Sequence, residues 1–385
     1  MNEKSEDGVR TLLPVERRER LLRTLEDGAT HRVDDLAEHL GVTAVTVRRD
    51  LALLADQSRV RRVRGGVRGL AGAPAPTPST GSGEAPRRFV LGMIVPSLRY
   101  YWPEVVRGAR AAADESGAAI ALRGSTYDLP EYRREVSALL EAADLDGLIV
   151  APDLRAVDPD LGSWLTSLGV PVVLAERNLT TGPHLEPMES VATDHALGAA
   201  LAVRRLAALG HRRVGLMTAD TVTSRQVRSG WRHACEELDL PLDGTPDIST
   251  RFYADPSWRP MAEDAIRAAK ASETTALLVH PDAEAIAFVD LCAQQRLRIP
   301  DDLSVIAYDD EVAGCATPPL TAIRPPKEAI GRYAVETLLS RLAPGGAYLP
   351  RRRIILNPVL VERESTAPRR ASANGQPAPA GRWRT

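Results

Sequence analysis

Two groups of side chains in this 385-residue chain have types and spacing that could do chemistry. The first is basic. Residues 46–68 hold seven arginines (Arg48, Arg49, Arg59, Arg61, Arg62, Arg64 and Arg68) against Asp50 and Asp56, in a chain whose formal net charge is −2. A local basic block on a nearly neutral chain is the footprint of a nucleic-acid contact, with a solvated charged face as the alternative reading. The second group sits at the ends of apolar runs. Pro96-Ser97, Glu176-Arg177, His280-Pro281-Asp282 and Asp309-Asp310 each follow such a run, and Tyr100-Tyr101-Trp102 puts three aromatics in a row in a chain only 4% aromatic. Rings of this kind stack on the C–H face of a polyhydroxylated ligand, while carboxylates and guanidinium groups bind its hydroxyls.

Other chemistries find no support. No GxGxxG follows an apolar run, and there is no Walker loop, HExxH or GxSxG. Asp309-Asp310 is the one adjacent acid pair with the look of acid/base or metal-binding chemistry, but neighbouring residues at a strand end usually diverge. Cys235, Cys292 and Cys315 are isolated, odd in number and without CxxC spacing, so all three read as small buried hydrophobes and no disulfide framework, metal or cofactor is expected. No apolar run approaches the ~18 residues that span a bilayer. The start, MNEKSEDGVR, lacks the apolar stretch of a secretory signal, so a cytoplasmic location without membrane contact is expected.

The elements that must position these groups fall into separate domains. Residues 71–86, AGAPAPTPSTGSGEAP, read as a linker, and the tail over 367–385 reads as disordered for the same compositional reason. The predicted organisation is therefore a first domain over 1–68, a linker over 69–87, a larger domain over 88–366 and a tail. In the first domain, Pro14 opens a helix with Leu21, Leu22 and Leu25 on one side. A second helix carries Val33, Leu36, Ala37 and Leu40 and stops at Gly41. Thr43 caps a third, whose core stripe is Val47, Leu51 and Leu54. At ~100° per residue, Arg49 points almost directly away from that stripe and Arg48 lies at its flank. Helix, short turn, helix is a helix-turn-helix. The SRVRRVRGGVRG segment adds a basic hairpin with its tight turn at Gly65-Gly66, completing a winged helix.

This segment resembles the DNA-binding domain of the DeoR family. It supplies Thr43, then Thr46-Val47-Arg48-Arg49-Asp50-Leu51, then Arg62-Val63-Arg64-Gly65-Gly66-Val67, with Arg64 where the family usually has histidine. The resemblance implies a DNA-contacting set of Thr43, Ala44, Thr46, Arg48, Arg49, Arg62 and Arg64, with double-stranded operator DNA as the partner.

In the larger domain, apolar runs at 89–95, 119–122, 147–150, 172–174, 214–217, 276–279 and 303–308 alternate with helical patterns of 10–15 residues. That rhythm predicts parallel sheets covered on both faces, and two sheets suit the length better than one. Ligands of such sheets sit at the carboxyl ends of the strands. The motifs LGMIVPS, LDGLIVAP, VPVVLAERN, LGHRRVGLM, IPDDLSVIAYDD, PPLTAIRPP and LVERES resemble the effector domain of the LacI/GalR family, which is similar to periplasmic sugar-binding proteins. The fold class implied is α/β, with two Rossmann-like lobes joined by three crossovers and preceded by the winged helix-turn-helix. Dimerisation would run through both lobes. The effector-binding residues implied are Tyr100, Tyr101, Trp102, Arg177, Asp194, Asp282 and Asp309. Two departures bear on the ligand. Val227 stands where the family often has arginine, for which Arg225 or Arg228 would have to substitute, and Pro281 replaces an asparagine. Both remove polar contacts of the usual sugar kind. A Pro/Gly linker in place of a hinge helix also makes coupling through hinge folding an unsuitable route.

The reading is a homodimeric, ligand-responsive transcription regulator, a repressor of sugar or related carbon-source genes, with a sugar or sugar-like effector. Its rivals are a constitutive DNA-binding dimer and an enzyme acting on sugars or nucleosides.

Overall fold

The computed structural model describes residues 20, 21, 24, 25, 30, 31, 33–40, 47, 51, 60–63, 66–69, 89–125, 129–155 and 158–369. The chain divides into two compact units, residues 1–84 and 85–385.

In the first unit, the short strand β1 (Thr30–His31) precedes helix α1 (Val33–Leu40), and β2 (Val60–Val63) and β3 (Gly66–Gly69) form the basic hairpin. The sheet order is β1-β3-β2, antiparallel throughout. Of the stripes expected from helical spacing, Leu21, Leu25, Leu36, Ala37, Leu40, Val47 and Leu51 are buried in one core with Val67 of the hairpin, while Leu22, Leu54 and the Val33 side chain lie outside what is described. Two details differ from expectation. Gly66 is already paired opposite Val63, so it belongs to the strand and not to the turn, and β3 continues to Gly69. Strand β1 was not anticipated, because two residues offer no alternation to read. The expected positions of Thr43, Ala44, Thr46, Arg48, Arg49 and Arg64 lie outside the described residues, as do residues 70–87 of the expected linker and the helix start at Pro14; Arg62 is described only as part of β2.

The second unit is built on two six-stranded sheets. The first has the order β16-β10-β7-β6-β4-β5. Its strands are β4 (Val90–Val95), β5 (Ala119–Gly124), β6 (Gly147–Val150), β7 (Val172–Ala175), β10 (Ser190–Thr193) and β16 (Arg353–Leu356), all parallel. The second has the order β12-β11-β13-β14-β15-β17. It comprises β11 (Val214–Ala219), β12 (Asp247–Thr250), β13 (Ala276–His280), β14 (Ser304–Tyr308), β15 (Thr321–Arg324) and β17 (Val359–Val361), with only β17 antiparallel. A two-stranded ribbon, β8 (Thr180–Thr181) with β9 (Glu186–Pro187), stands apart. The chain passes between lobes three times: after β10, between β15 and the helix at Lys327–Leu342, and between β16 and β17.

The central strands are buried on both faces, with every residue of β6, β11, β13 and β14 inaccessible. That is the pattern of parallel sheets under helices. In the first lobe the covering helices include α2 (Trp102–Glu115), α3 (Leu129–Ala142) and α4 (Leu161–Thr166); in the second, α5 (His195–Ala208), α6 (Ser224–Glu237), α7 (Trp258–Ala271) and α8 (Asp282–Gln294). Helix α9 (Lys327–Leu342) returns to the first lobe, where Ile330, Ala334, Val335 and Leu338 join the core beneath Val105 and Ala109 of α2. Helices α2 and α9 cross with their backbones in contact, and a Cβ on Gly331 would stand 1.9 Å from the Val105 carbonyl oxygen.

Two further expectations are corrected. The expected tail starts too early. Ala367 N donates to Ser304 Oγ at 3.2 Å, and Arg369 N donates to the Leu209 carbonyl at 2.8 Å, so the chain is held through 369. Residues 370–385 lie outside the described residues. Cys235 and Cys292 are buried, with burial pushing both thiols up to about 12, but Cys315 is exposed in the short turn Ala313–Cys315.

Candidate functional site

A cavity of about 450 Å³ lies between the two lobes, at the carboxyl ends of their strands. The first lobe contributes Tyr100, Tyr101 and Trp102 from the start of α2, Arg155, and Glu176-Arg177 after β7. The second contributes Thr221 to Thr223, Phe252, Tyr253, His280, Glu284 and Asp309. Trp102 and Pro103 open α2, where proline's missing N–H costs nothing. Tyr101 enters that helix at φ 65°, Glu176 leaves β7 at 56° and Asp309 leaves β14 at 91°. Left-handed backbone at three non-glycine residues costs of order 1–3 kcal/mol each, and such strain clusters where side chains must be aimed. Here each of the three aims its side chain at the cavity.

Two hydrogen-bonded chains run between the lobes at the cavity wall. In one, the Tyr100 hydroxyl donates to Asp282 Oδ1 and stands 3.2 Å from Asp309 Oδ2. Burial, with both carboxylates adding to it, pushes that phenol far above its ordinary range, so it stays a donor. In the other, Glu176 accepts from the Tyr101 hydroxyl at 2.5 Å and from Thr193 Oγ1 at 2.7 Å and N at 3.0 Å. It also lies 3.3 Å from His195 Nε2, whose Nδ1 is 3.2 Å from the Tyr308 hydroxyl. Burial works to raise Glu176, but His195 and the other donors outweigh it and bring the carboxyl down to about 2.

The remaining groups are held in contrasting ways. Arg177 Nε donates to the Pro152 carbonyl at 2.6 Å and Nη1 to the Glu176 carbonyl at 2.8 Å, with the guanidinium over the Trp102 ring at 5.5 Å. Arg155 Nε and Nη2 both bind the Asp153 carboxylate. Asp310 turns away from Asp309 to pair with Arg324 at 2.7 Å and Arg363 at 2.8 Å, the divergence expected of neighbouring strand-end residues.

Of the residues expected at the effector, Tyr100, Tyr101, Trp102, Arg177 and Asp309 converge on the cavity and three do not line it. Asp194 caps α5, accepting from Leu197 N at 2.8 Å, because its place at a crossover is also the first turn of a helix. Asp282 is wholly buried behind the wall. Its Oδ2 accepts from the backbone N–H groups of Glu311, Val312 and Ala313 at 2.6, 2.7 and 3.0 Å, and only its contact with Tyr100 reaches the site. Arg225 lines an adjoining cavity instead. Arg228 is occupied by Asp247 at 2.6 Å and Ser249 at 2.7 Å, and Val227 is buried in the core, so neither arginine replaces the missing one. Sequence reasoning missed Glu284, Phe252 and Tyr253. It named Glu176 and His280 as strand-end polar groups but assigned them no role.

Burial, reinforced by Asp282, pushes Asp309 up to about 7 from its ordinary 3.8, while burial brings His280 down to about 3 from 6.5. The two act oppositely on folding. Asp309 keeps a proton that the unfolded chain has lost, so its contribution to stability falls as pH rises from about 4 to about 7. His280 stays neutral where the unfolded chain is charged, so its contribution rises over about 3 to 6.5. The two nearly cancel in the wild type. Asp309→Asn removes the falling slope, and the variant is expected to gain on the wild type between pH 4 and 7, by up to ~1 kcal/mol per pH unit. Urea midpoints across that range check this; parallel curves for the two proteins would contradict it.

The comparisons with known proteins agree with this geometry. Residues 17–71 match the DeoR-like helix-turn-helix domain, and residues 203–366 match the periplasmic binding protein-like domain. The chain is 26% identical over 342 residues to the HTH-type transcriptional regulator DegA of Bacillus subtilis, covering 87% of this chain and 97% of that one. It is 27% identical over 289 residues to the ribose operon repressor of Escherichia coli, covering 71% and 81%. Among solved structures, the transcriptional regulator CelR in complex with cellobiose superposes with a TM-score of 0.62 at 22% identity, covering 87% and 99%. One chain thus joins a DeoR-like helix-turn-helix domain, over residues 17–71, to a region matching the periplasmic binding protein-like domain, over residues 203–366.

Proposed function

We propose that the chain is a ligand-responsive DNA-binding transcription regulator, a repressor of sugar or related carbon-source genes that acts as a homodimer in the cytoplasm. The observation that carries this reading is the interlobe cavity bridged by Tyr100 and Asp309, attached to a DeoR-like DNA-binding domain. A small molecule in that cavity touches both lobes, so it binds one lobe arrangement better than another, and that difference is what shifts an equilibrium. Coupling of ~1–3 kcal/mol changes operator affinity ~5–150-fold. The relatives named as regulators or repressors, including those of arabinose and ribose metabolism, favour regulation over catalysis. Among the described residues no helix is long and apolar enough to cross a membrane.

In this reading Thr43, Ala44, Thr46, Arg48 and Arg49 present the recognition helix to the major groove, and Arg62 and Arg64 of the wing hold the backbone. The test is footprinting at the chain's own promoter, followed by gel-shift titration of Arg48→Ala and Arg49→Ala on specific and random duplexes. Each variant is expected to lose ~1–3 kcal/mol of operator binding, and the wild-type dimer to show a slope of log affinity on log salt of roughly −6 to −10. Unchanged affinity for both duplexes removes this helix from the interface. A footprint that no cavity ligand alters leaves a constitutive DNA-binding dimer.

A further inference from the structure

The charged groups lining the cavity are unequal in what they have left to offer. The cations are engaged within the protein: Arg155 on Asp153, Arg177 on two carbonyls and the face of Trp102. Lys327, close behind the wall, bonds the Asp309 carbonyl at 2.7 Å and the Glu311 carboxylate, not the Asp309 carboxylate. Two acids are in the opposite condition. Glu284 is 1% exposed; its Oε1 accepts from Tyr253 N at 3.0 Å, and its Oε2 has no hydrogen-bond partner. Asp309 receives only the shared Tyr100 hydroxyl on Oδ2, with His280 Nε2 at 3.8 Å. Among the described residues no arginine or lysine pairs with either carboxylate. A buried carboxylate oxygen without a donor is costly, and such a group in a native protein asks for an explanation.

The rest of the wall is aromatic. Tyr100, Tyr101 and Trp102 stand on one side, and Phe252 and Tyr253, 45% and 55% exposed, on the other. Ring faces attract cations as well as C–H groups. The volume of about 450 Å³ is at the small end for ligand sites.

We propose that the cavity recognises its effector by a protonated amine, held by Asp309 and Glu284 among the aromatic rings, so that the ligand class is a compact amine such as an amino sugar and not a neutral sugar. This rests on the reading of the cavity as the effector site. It also accounts for Pro281 and Val227, since an ammonium group needs acceptors and not the donors those positions lack. The titratable and charged groups around Asp309 are Tyr100, Tyr101, Asp282, His195, His280, Tyr308 and Lys327. Burial and the neighbouring Asp282 keep Asp309 near 7, so an arriving ammonium displaces a proton at neutral pH.

The test uses the full chain and matched probes: glucosamine against glucose, galactosamine against galactose, and each N-acetylated form, which keeps the bulk and removes the charge. Binding is read by thermal shift and by tryptophan fluorescence, with Trp102→Phe reporting occupancy of this cavity. The amine of at least one pair is expected to bind about 10-fold or more tightly than its neutral partners. Its calorimetric heat is expected to vary with buffer ionisation enthalpy, as proton release requires. Asp309→Asn and, separately, Glu284→Gln, which keeps an acceptor for Tyr253 N, are expected to erase most of that preference. The proposal is overturned if neutral or acetylated members bind as tightly as the amines, if no amine binds at about 10 mM, or if both variants keep the full preference. The regulatory reading fails separately, if a compound that fills the cavity leaves operator affinity unchanged.

Discussion

Replacing Asp282 with alanine is expected to cost about 3–5 kcal/mol of stability and to abolish any effector response. The carboxylate accepts three backbone N–H groups of the 311–313 loop on one oxygen and the Tyr100 hydroxyl on the other, with no solvent contact of its own. Each buried donor left without a partner costs about 1–3 kcal/mol. The Ala313 N–H lies in the core and suffers in full, while the more open Glu311 and Val312 recover part of theirs from water. The loss also frees the loop that follows β14 and removes the shorter of the two bonds from Tyr100 into the second lobe, leaving the 3.2 Å contact with Asp309, which is why the response goes with the stability. Asp282→Asn keeps an acceptor in place and relieves the repulsion on Asp309, so its penalty should be the smaller. Urea denaturation gives the stability, and hydrogen exchange at the 311–313 amides localises it. A midpoint shift worth under ~0.5 kcal/mol with unchanged protection would show that the carboxylate does not anchor this loop.

The second large effect is expected at Gly331. On an exposed helix, glycine to alanine gains about 1 kcal/mol from helix propensity. Here an added Cβ would stand 1.9 Å from the Val105 carbonyl oxygen and 2.7 Å from Ala109 N, and a Cβ on Gly108 would likewise stand 1.9 Å from the Glu328 carbonyl oxygen in the same crossing. Neither obstacle is a flexible side chain, so α2 and α9 must separate. That opens the core formed by Val105, Ala109, Ile330 and Ala334. Overpacking costs about 1–3 kcal/mol when the surroundings can shift and more when backbone blocks the way. Gly331→Ala should therefore lose about 3 kcal/mol net. A variant as stable as the wild type in thermal denaturation would mean that the helices are free to slide apart.

Much of the fold was legible because parallel strands buried on both faces announce themselves. Residues 147–150 and 276–279 are unbroken apolar runs, and both are central strands. Among the strands that escaped, Ser190–Thr193 and Thr321–Arg324 bury most of their residues without looking apolar along the chain, and Asp247–Thr250 is an edge strand with only Thr250 buried. Missing Asp247–Thr250 hid Phe252 and Tyr253, which follow it into the cavity. For the acids, sequence showed which residues end strands and not where their oxygens point. Asp194, Asp282 and Asp309 look alike in that respect, yet one caps a helix, one braces a loop and one faces the ligand space. Orientation depended on backbone that sequence does not display, such as the φ of 91° at Asp309.

The threefold passage of the chain between lobes has a consequence for its synthesis. The first lobe's sheet lacks an end strand until Arg353–Leu356 has been made, and α2 lacks its cover until Lys327–Leu342 has. Between them and β10 the ribosome must make the whole second lobe except β17, which at ~5–20 residues per second takes roughly 10–30 s. Through that interval the nascent first lobe carries an open edge at β10 and a bare apolar stripe on α2. A chain terminated anywhere between 194 and 352 therefore holds no complete lobe, and such fragments are expected to need holding by chaperones or to aggregate.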